Sequence, residues 1–229
     1  FADDPWILAV LASSVFVGSL GFPGIFVMGV FWRSPRSWDL HAKLTLTTSV
    51  LLVLGGWVLL LVFEAANPAT LGFRGWFDTA GESLFLSVMS RSGGFATVDI
   101  ADLSDSSHVL LDMLMFVGGG SGSTAGGIKV TTLAVLGLAA LAEARGLVDT
   151  TAFNRRIAPS TIRLAVSVLL ASVTIVSVGT MVLLAVTDEP LDYALFEVIS
   201  AFATCGLSMG VTERSTDAGL YVLGALMLV

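Results

Sequence analysis

Two short glycine-containing segments have the residue types of an ion-binding site. They are Ser92-Gly93-Gly94-Phe95 and Thr204-Cys205-Gly206-Leu207. Each follows an apolar stretch, 83–89 or 193–203, that is too short to cross a bilayer and is typical of a re-entrant pore helix. Glycine permits dihedrals that point successive carbonyl oxygens inward, and rings of carbonyls replace the hydration shell of an ion. We therefore predict that the carbonyls of both segments bind dehydrated cations.

Each glycine taken alone could equally serve a tight turn between a helix and a loop. The two glycines, however, occur in matching surroundings, because Gly206 lies 112 positions after Gly94 (206 − 94 = 112) and a Leu-Phe pair and a serine precede each one. This weak internal repeat favours two copies of one pore element over two unrelated turns.

A third segment, which we call the glycine loop, interrupts the apolar stretch 109–142. It comprises Gly118, Gly119, Gly120, Ser121, Gly122, Ser123, Thr124, Ala125, Gly126 and Gly127, and Lys129 follows it. The lysine is not followed by Ser or Thr, so the segment does not match a phosphate-binding loop, and neither histidine of the chain is placed to activate its serines. We expect the loop to break a transmembrane helix and to obstruct or admit ions beneath the filters; a passive kink is the alternative.

Four ionisable residues fall within or beside these apolar segments, where a charge calls for an explanation. Asp112 is one helical turn from His108, so we predict a local His-Asp pair near the outer interface. We predict that Glu197 and Arg91 orient their filters through hydrogen bonds to neighbouring backbone or charges, and do not contact ions directly.

The composition indicates that lipid is the main solvent of this chain. Of its 229 residues 55% are hydrophobic and 13% are charged, and the mean hydropathy is +0.90. Stretches 5–31, 44–63 and 162–186 are each long enough to cross a bilayer, and another begins near Gly219. We therefore predict an all-α integral membrane protein. The net charge of −7 disfavours nucleic acid as a partner, and the single cysteine excludes an internal disulfide.

The distribution of basic residues predicts the topology. Arg33, Arg36 and Lys43 lie in one connection, and a second basic group consists of Lys129, Arg145, Arg155, Arg156 and Arg163. By the positive-inside rule both groups are cytoplasmic, and the acidic connections face outside. The predicted units are 1–37, the last helix of a preceding repeat; 38–157, a helix, a pore hairpin and an interrupted helix; and 158–229, a second such repeat cut short in its last helix.

The motifs resemble the Trk/Ktr/HKT superfamily of potassium transporters. Similarity extends in matching order over essentially the whole chain, through the sequences LGFP (20–23), LHAKL (40–44), SRSGGFATVD (90–99), GGGSGSTAGGIKVTT (118–132) and FEVISAFATCGLSMG (196–210). The resemblance implies a K⁺-channel-like pore of four repeats, of which this chain holds roughly the second half. Ser92-Gly93 replaces the Thr-Ala usual in the family.

The resemblance further implies K⁺ at the filter carbonyls, with Na⁺ also possible, and no organic cofactor. It implies a multi-pass protein of the inner (cytoplasmic) membrane, surrounded by lipid, that forms a homodimer and binds a cytosolic nucleotide-binding (RCK/KTN-type) regulatory ring. The predicted function is K⁺ uptake without covalent chemistry, so the protein is not expected to be an enzyme. The alternatives are a sodium-coupled secondary transporter of a small solute and a nonconducting membrane subunit.

Overall fold

The structure is a computed structural model that describes residues 4–31, 33, 38–72, 75–147 and 149–228. Arg36, assigned above to a basic connection, lies outside these residues. The helices are α1 (Pro5–Ser19), α2 (Phe22–Val30), α3 (Leu40–Glu64), α4 (Trp76–Met89), α5 (Asp105–Phe116), α6 (Val130–Ala144), α7 (Pro159–Val186), α8 (Leu191–Phe202), α9 (Val211–Arg214) and α10 (Asp217–Leu226).

Two of the predicted spans are continuous helices. α3 has 25 residues and α7 has 28, and both are long and apolar enough to cross a membrane. Each begins three or four residues earlier than the hydropathy pattern indicates. Asp39 caps α3 by accepting from the amide of Ala42 (2.8 Å). Pro159 begins α7, and its missing N–H costs nothing there because an amide in the first turn has no partner within the helix.

The stretch 5–31 is not the single helix that its length predicts. It is broken into α1 and α2, whose axes differ by 97°. Gly21 lies at the break with φ +80°, and a Cβ there would be 2.4 Å from the carbonyl oxygen of Ser121. Only glycine fits this conformation and this contact, and Pro23 at the start of α2 cannot continue the hydrogen bonding of α1.

The two predicted pore helices are present and short. α4 has 14 residues and packs against α3, and α8 has 12 residues and packs against α5 and α7. The interrupted helix consists of α5 and α6 with the glycine loop between them. The described β-structure consists of a hairpin of two-residue strands, β1 (Thr151–Ala152) and β2 (Arg155–Arg156), in the connection before α7, and an isolated parallel bridge between Val117 and Ile128.

Adjacent glycines in α3 differ in their surroundings and give a matched test of this packing. Gly55 has open space beside it, whereas a Cβ at Gly56 would lie 2.6 Å from Ser87 Oγ on α4 and 2.7 Å from Leu114 Cδ1 on α5. We expect Gly56→Leu to lower the unfolding temperature of the detergent-solubilised full-length protein through overpacking that costs about 1–3 kcal/mol. Gly55→Leu is the control; equal unfolding temperatures would contradict this packing.

Candidate functional site

The two glycine-containing segments share an unusual backbone conformation. Positive φ occurs at every second residue: Ser92 (149°) and Gly94 (68°) in the first, Thr204 (49°) and Gly206 (94°) in the second. The two non-glycine positions have the same separation as the two glycines (204 − 92 = 112). A side chain held at positive φ costs about 1–3 kcal/mol and is typical of functional sites.

The two segments lie directly against each other. A Cβ at Gly94 would be 2.6 Å from the carbonyl oxygen of Cys205 and 3.1 Å from the Cα of Gly206. The buried Cys205 thiol donates to the carbonyls of Ser90 (3.2 Å) and Met89 (3.5 Å) at the end of α4. These contacts hold the end of α4 against the segment that follows α8.

Side chains of α8 hold the second segment. Ser200 Oγ donates to the carbonyl of Leu207 (2.6 Å) and accepts from the amide of Gly206 (3.2 Å). Glu197 accepts from the amide of Met209 (3.0 Å), from Thr212 Oγ1 (3.0 Å) and from Ser208 Oγ. Glu197 therefore bonds to neighbouring backbone and hydroxyls, as predicted, whereas the role of Ser200 has no signal in the sequence beyond a hydroxyl in an apolar helix.

The glycine loop is an ordered turn between α5 and α6. Its ends are joined by the amide of Gly118, which donates to the carbonyl of Ile128 (3.0 Å), and by the amide of Ile128, which donates to Phe116 (3.1 Å). Lys129 Nζ donates to the carbonyl of Ala125 (2.7 Å). These bonds satisfy part of the backbone that a helix break leaves unpaired in lipid.

The glycine loop bridges the second glycine-containing segment, 204–207, and the break between α1 and α2. On one side the amide of Gly126 donates to the carbonyl of Ala203 (3.1 Å) and to Thr204 Oγ1 (3.0 Å). On the other side the amide of Gly120 donates to the carbonyl of Ser19 (2.7 Å). The loop thus contacts Ala203 and Thr204, the two residues that follow the end of α8.

Arg91 connects the glycine loop to α3. The residue is 2% exposed, and its guanidinium donates to the carbonyl of Ser49 (3.2 Å), to Ser49 Oγ (3.3 Å) and to the carbonyl of Gly118 (3.0 Å). Arg91 therefore makes the predicted kind of hydrogen bond to backbone, with partners 27 and 42 residues away in the sequence; that it orients the segment 92–95 stays a prediction. Ser49 was not predicted, since nothing in an apolar span marks one serine as an arginine partner.

The predicted pair of His108 and Asp112 does not form. His108 Nε2 bonds to the carbonyl of Ile100 (2.7 Å), and Asp112 Oδ1 has no hydrogen-bond partner among the described residues. The connection before α5 returns Ile100 to the helix and provides a nearer partner than the next turn.

Glu64 is a buried anchor that sequence reasoning missed. Its carboxylate is fully buried at the end of α3 and accepts from Asn67 Nδ2 (2.7 Å), Thr70 Oγ1, Ser107 Oγ and both the amide and the hydroxyl of Ser104 (2.9 and 2.8 Å). Five donors satisfy this charge and fix the start of α5 against α3. A serine before the first turn of α5 is a recognisable N-cap, but nothing near it in the sequence identifies Glu64, 40 residues earlier, as the acceptor of its hydrogen bonds.

Comparison with known proteins identifies the family of this chain. The family model described as "TrkH: Cation transport protein" matches residues 1–229. The chain belongs to the TrkH family. Its helical membrane fold and the predicted relation to Trk and Ktr proteins are thereby confirmed.

Curated relatives of this TrkH-family chain are named as potassium uptake proteins. It is 33% identical over its whole length to the Ktr system potassium uptake protein B of Bacillus subtilis and covers 51% of that protein. It is 32% identical to the potassium/sodium uptake protein NtpJ of Enterococcus hirae, with 98% of this chain and 50% of NtpJ covered. The chain therefore spans about half the length of these relatives.

A solved structure agrees with the fold of this TrkH-family chain. The crystal structure of the potassium transporter TrkH from Vibrio parahaemolyticus superposes with a TM-score of 0.74 at 23% identity, over 99% of this chain and 50% of the other. At this identity the match establishes the fold alone.

Proposed function

We propose that the protein containing this chain takes up K⁺ across the cytoplasmic membrane, by multi-pass helices around a carbonyl-lined filter. The carbonyls of 92–95 and 204–207 bind the dehydrated ion, and the glycine loop gates beneath them. Relatives named as potassium uptake proteins support the ion, and NtpJ, named for potassium and sodium, supports Na⁺ as a second permeating ion.

One observation carries this proposal: three non-helical backbone segments meet inside an apolar helical protein. Gly94 lies against Gly206, and Gly126 bonds to Ala203 and Thr204. Non-helical backbone at membrane depth is tolerated only where protein buries it or where it lines a polar cavity. Alternating positive φ in both filter segments supports carbonyls that face a shared axis.

Assembly follows as part of the same proposal. The chain would supply repeats three and four of a four-repeat subunit, with units 1–37, 38–157 and 158–229. Two subunits form a homodimer, and a cytosolic nucleotide-binding ring regulates it. The exposed basic side chains of Arg155, Arg156 and Arg163 favour a cytoplasmic location for the connections that would receive such a ring.

Uptake of ⁸⁶Rb⁺ by the full-length parent protein, in cells that lack K⁺ uptake, tests the filter. A Ser at Gly206 adds a side chain at φ +94° and 3.5 Å from Gly94 Cα. We expect the preference for Rb⁺ over Na⁺ to fall roughly tenfold, which corresponds to about 1.4 kcal/mol of lost site selectivity.

Gly224→Ser is the matched control, because nothing lies within 4 Å of a Cβ at Gly224. Its Rb⁺ preference should equal that of wild type. Unchanged selectivity in Gly206→Ser would contradict the filter assignment. An absence of Rb⁺ uptake by wild type with its regulatory partner present would favour the solute-transporter alternative.

A further inference from the structure

A cleft between two membrane-spanning helices has the lining of a lipid site. It lies between the first turns of α3 and α7, with α6 and the end of the β-hairpin forming its inner wall, and its volume is about 450 Å³. The apolar part of the lining includes Leu40, Leu44, Val135, Leu164 and Val168. Leu164 is 65% exposed on a helix that is apolar enough to span a bilayer, so its side chain is available to lipid.

The charged or titratable part of the lining is confined to the end at which both helices begin, while Thr131 and Thr132 add hydroxyls from the first turn of α6. His41 lies in the first turn of α3, and Arg156 ends the hairpin three residues before α7. Two more arginines, Arg155 and Arg163, are exposed close to Arg156 in the sequence. This end of α7 is therefore rich in basic residues, although the net charge of the chain is −7. Arg156 pairs with Asp149 (2.7 Å), but both side chains are exposed (64% and 42%), and exposed pairs contribute little.

The depth of the cleft matches half of a bilayer. Ala158, the N-cap of α7, and Val168 both line the cleft and are ten residues apart (168 − 158 = 10), which is about 15 Å of helix rise. One leaflet of hydrocarbon is about 15 Å thick. Most of the lining is aliphatic, so an acyl chain of this length would fill the cleft with favourable apolar contacts.

We propose that this cleft binds an anionic phospholipid, with an acyl chain along Leu164 and Val168 and the phosphate beside Arg156 and His41. The site lies against Thr131 and Thr132, in the first turn of the helix that follows the glycine loop. Any effect on gating would depend on the proposed function. Binding itself does not, and it is tested without ion flux.

Native mass spectrometry of the purified full-length protein tests the site with phosphatidylglycerol and phosphatidylcholine of identical acyl chains. One arginine beside an anionic headgroup contributes about fivefold in affinity, so we expect about fivefold greater retention of phosphatidylglycerol. Arg156→Gln should reduce it to the level of phosphatidylcholine. Thr161→Trp, at an exposed lining position, should displace both lipids.

Arg145→Gln is the charge-matched control, since Arg145 lies at the end of α6 and is not part of the lining; it should retain phosphatidylglycerol like wild type. Equal retention of the two lipids by wild type, or no effect of Arg156→Gln, would overturn the proposal. Displacement of the lipid by free inorganic phosphate would assign the polar end to phosphate alone. Loss of regulatory-ring binding in Thr161→Trp with lipid retention unchanged would assign the cleft to a protein contact.

Discussion

Replacing Arg91 with methionine should raise the flux of ⁸⁶Rb⁺ through the full-length protein roughly tenfold to hundredfold when the regulatory partner is absent. The guanidinium is the donor that joins the glycine loop, through Gly118, to Ser49 in α3. A hydrogen bond to a charged group contributes about 1.5–3 kcal/mol, and each 1.4 kcal/mol is about tenfold in an equilibrium. If the glycine loop obstructs the pathway as proposed, it should leave that position far more often without this bond.

Arg91→Lys separates the geometry of this contact from its charge. Lysine keeps the positive charge but lacks the planar fork that reaches two carbonyls at once. If the fork holds the loop, Arg91→Lys should behave like Arg91→Met. If it behaves like wild type, the charge beside the cation pathway governs flux and the tether is wrong. Ser49→Ala, which removes one acceptor and no charge, should raise the flux only slightly.

Gly126→Ala should raise basal Rb⁺ flux at least about fivefold. An added Cβ would lie 2.8 Å from both the carbonyl carbon and the oxygen of Ala203 and 2.9 Å from the oxygen of Phe202, and these are backbone atoms that cannot rotate away. The loop must shift, and its bond from Gly126 to Ala203 is lost. A neutral hydrogen bond contributes about 1 kcal/mol, which is about fivefold.

Gly137→Ala is the control for this substitution, because Gly137 lies in α6 with nothing within 4 Å of a Cβ. It should leave flux unchanged and improve helix stability by up to about 1 kcal/mol. A folded Gly126→Ala protein, verified by size-exclusion chromatography, that conducts like wild type would show that the loop does not obstruct the pathway.

Much of the fold follows from local sequence properties. The length of an apolar run decides whether a helix can cross a bilayer, and this correctly predicts α3 and α7 as long spans and α4 and α8 as short helices. The glycine loop is visible because a ten-residue small-residue run cannot continue a helix stably. The filter segments are visible because the same pattern recurs 112 positions later.

The bend at Gly21 was not predicted from hydropathy and length. Hydropathy and length describe 5–31 as one span, since a single glycine scarcely alters either quantity. Gly21 and Pro23 mark a local weak point of the helix, but the 97° angle and the close approach of Ser121, 100 residues later in the chain (121 − 21 = 100), are seen only in the packed structure.

The sequence by itself determined the class of protein, the long helices α3 and α7 and the three non-helical segments, because these depend on length and residue type within a short window. Only the tertiary structure decided which partners the polar side chains take. Arg91 bonds to Ser49 and Gly118, Glu64 to Ser104, and His108 to Ile100 instead of Asp112. A buried donor must find an acceptor wherever the fold places one, and that place is set by distant helices meeting in space.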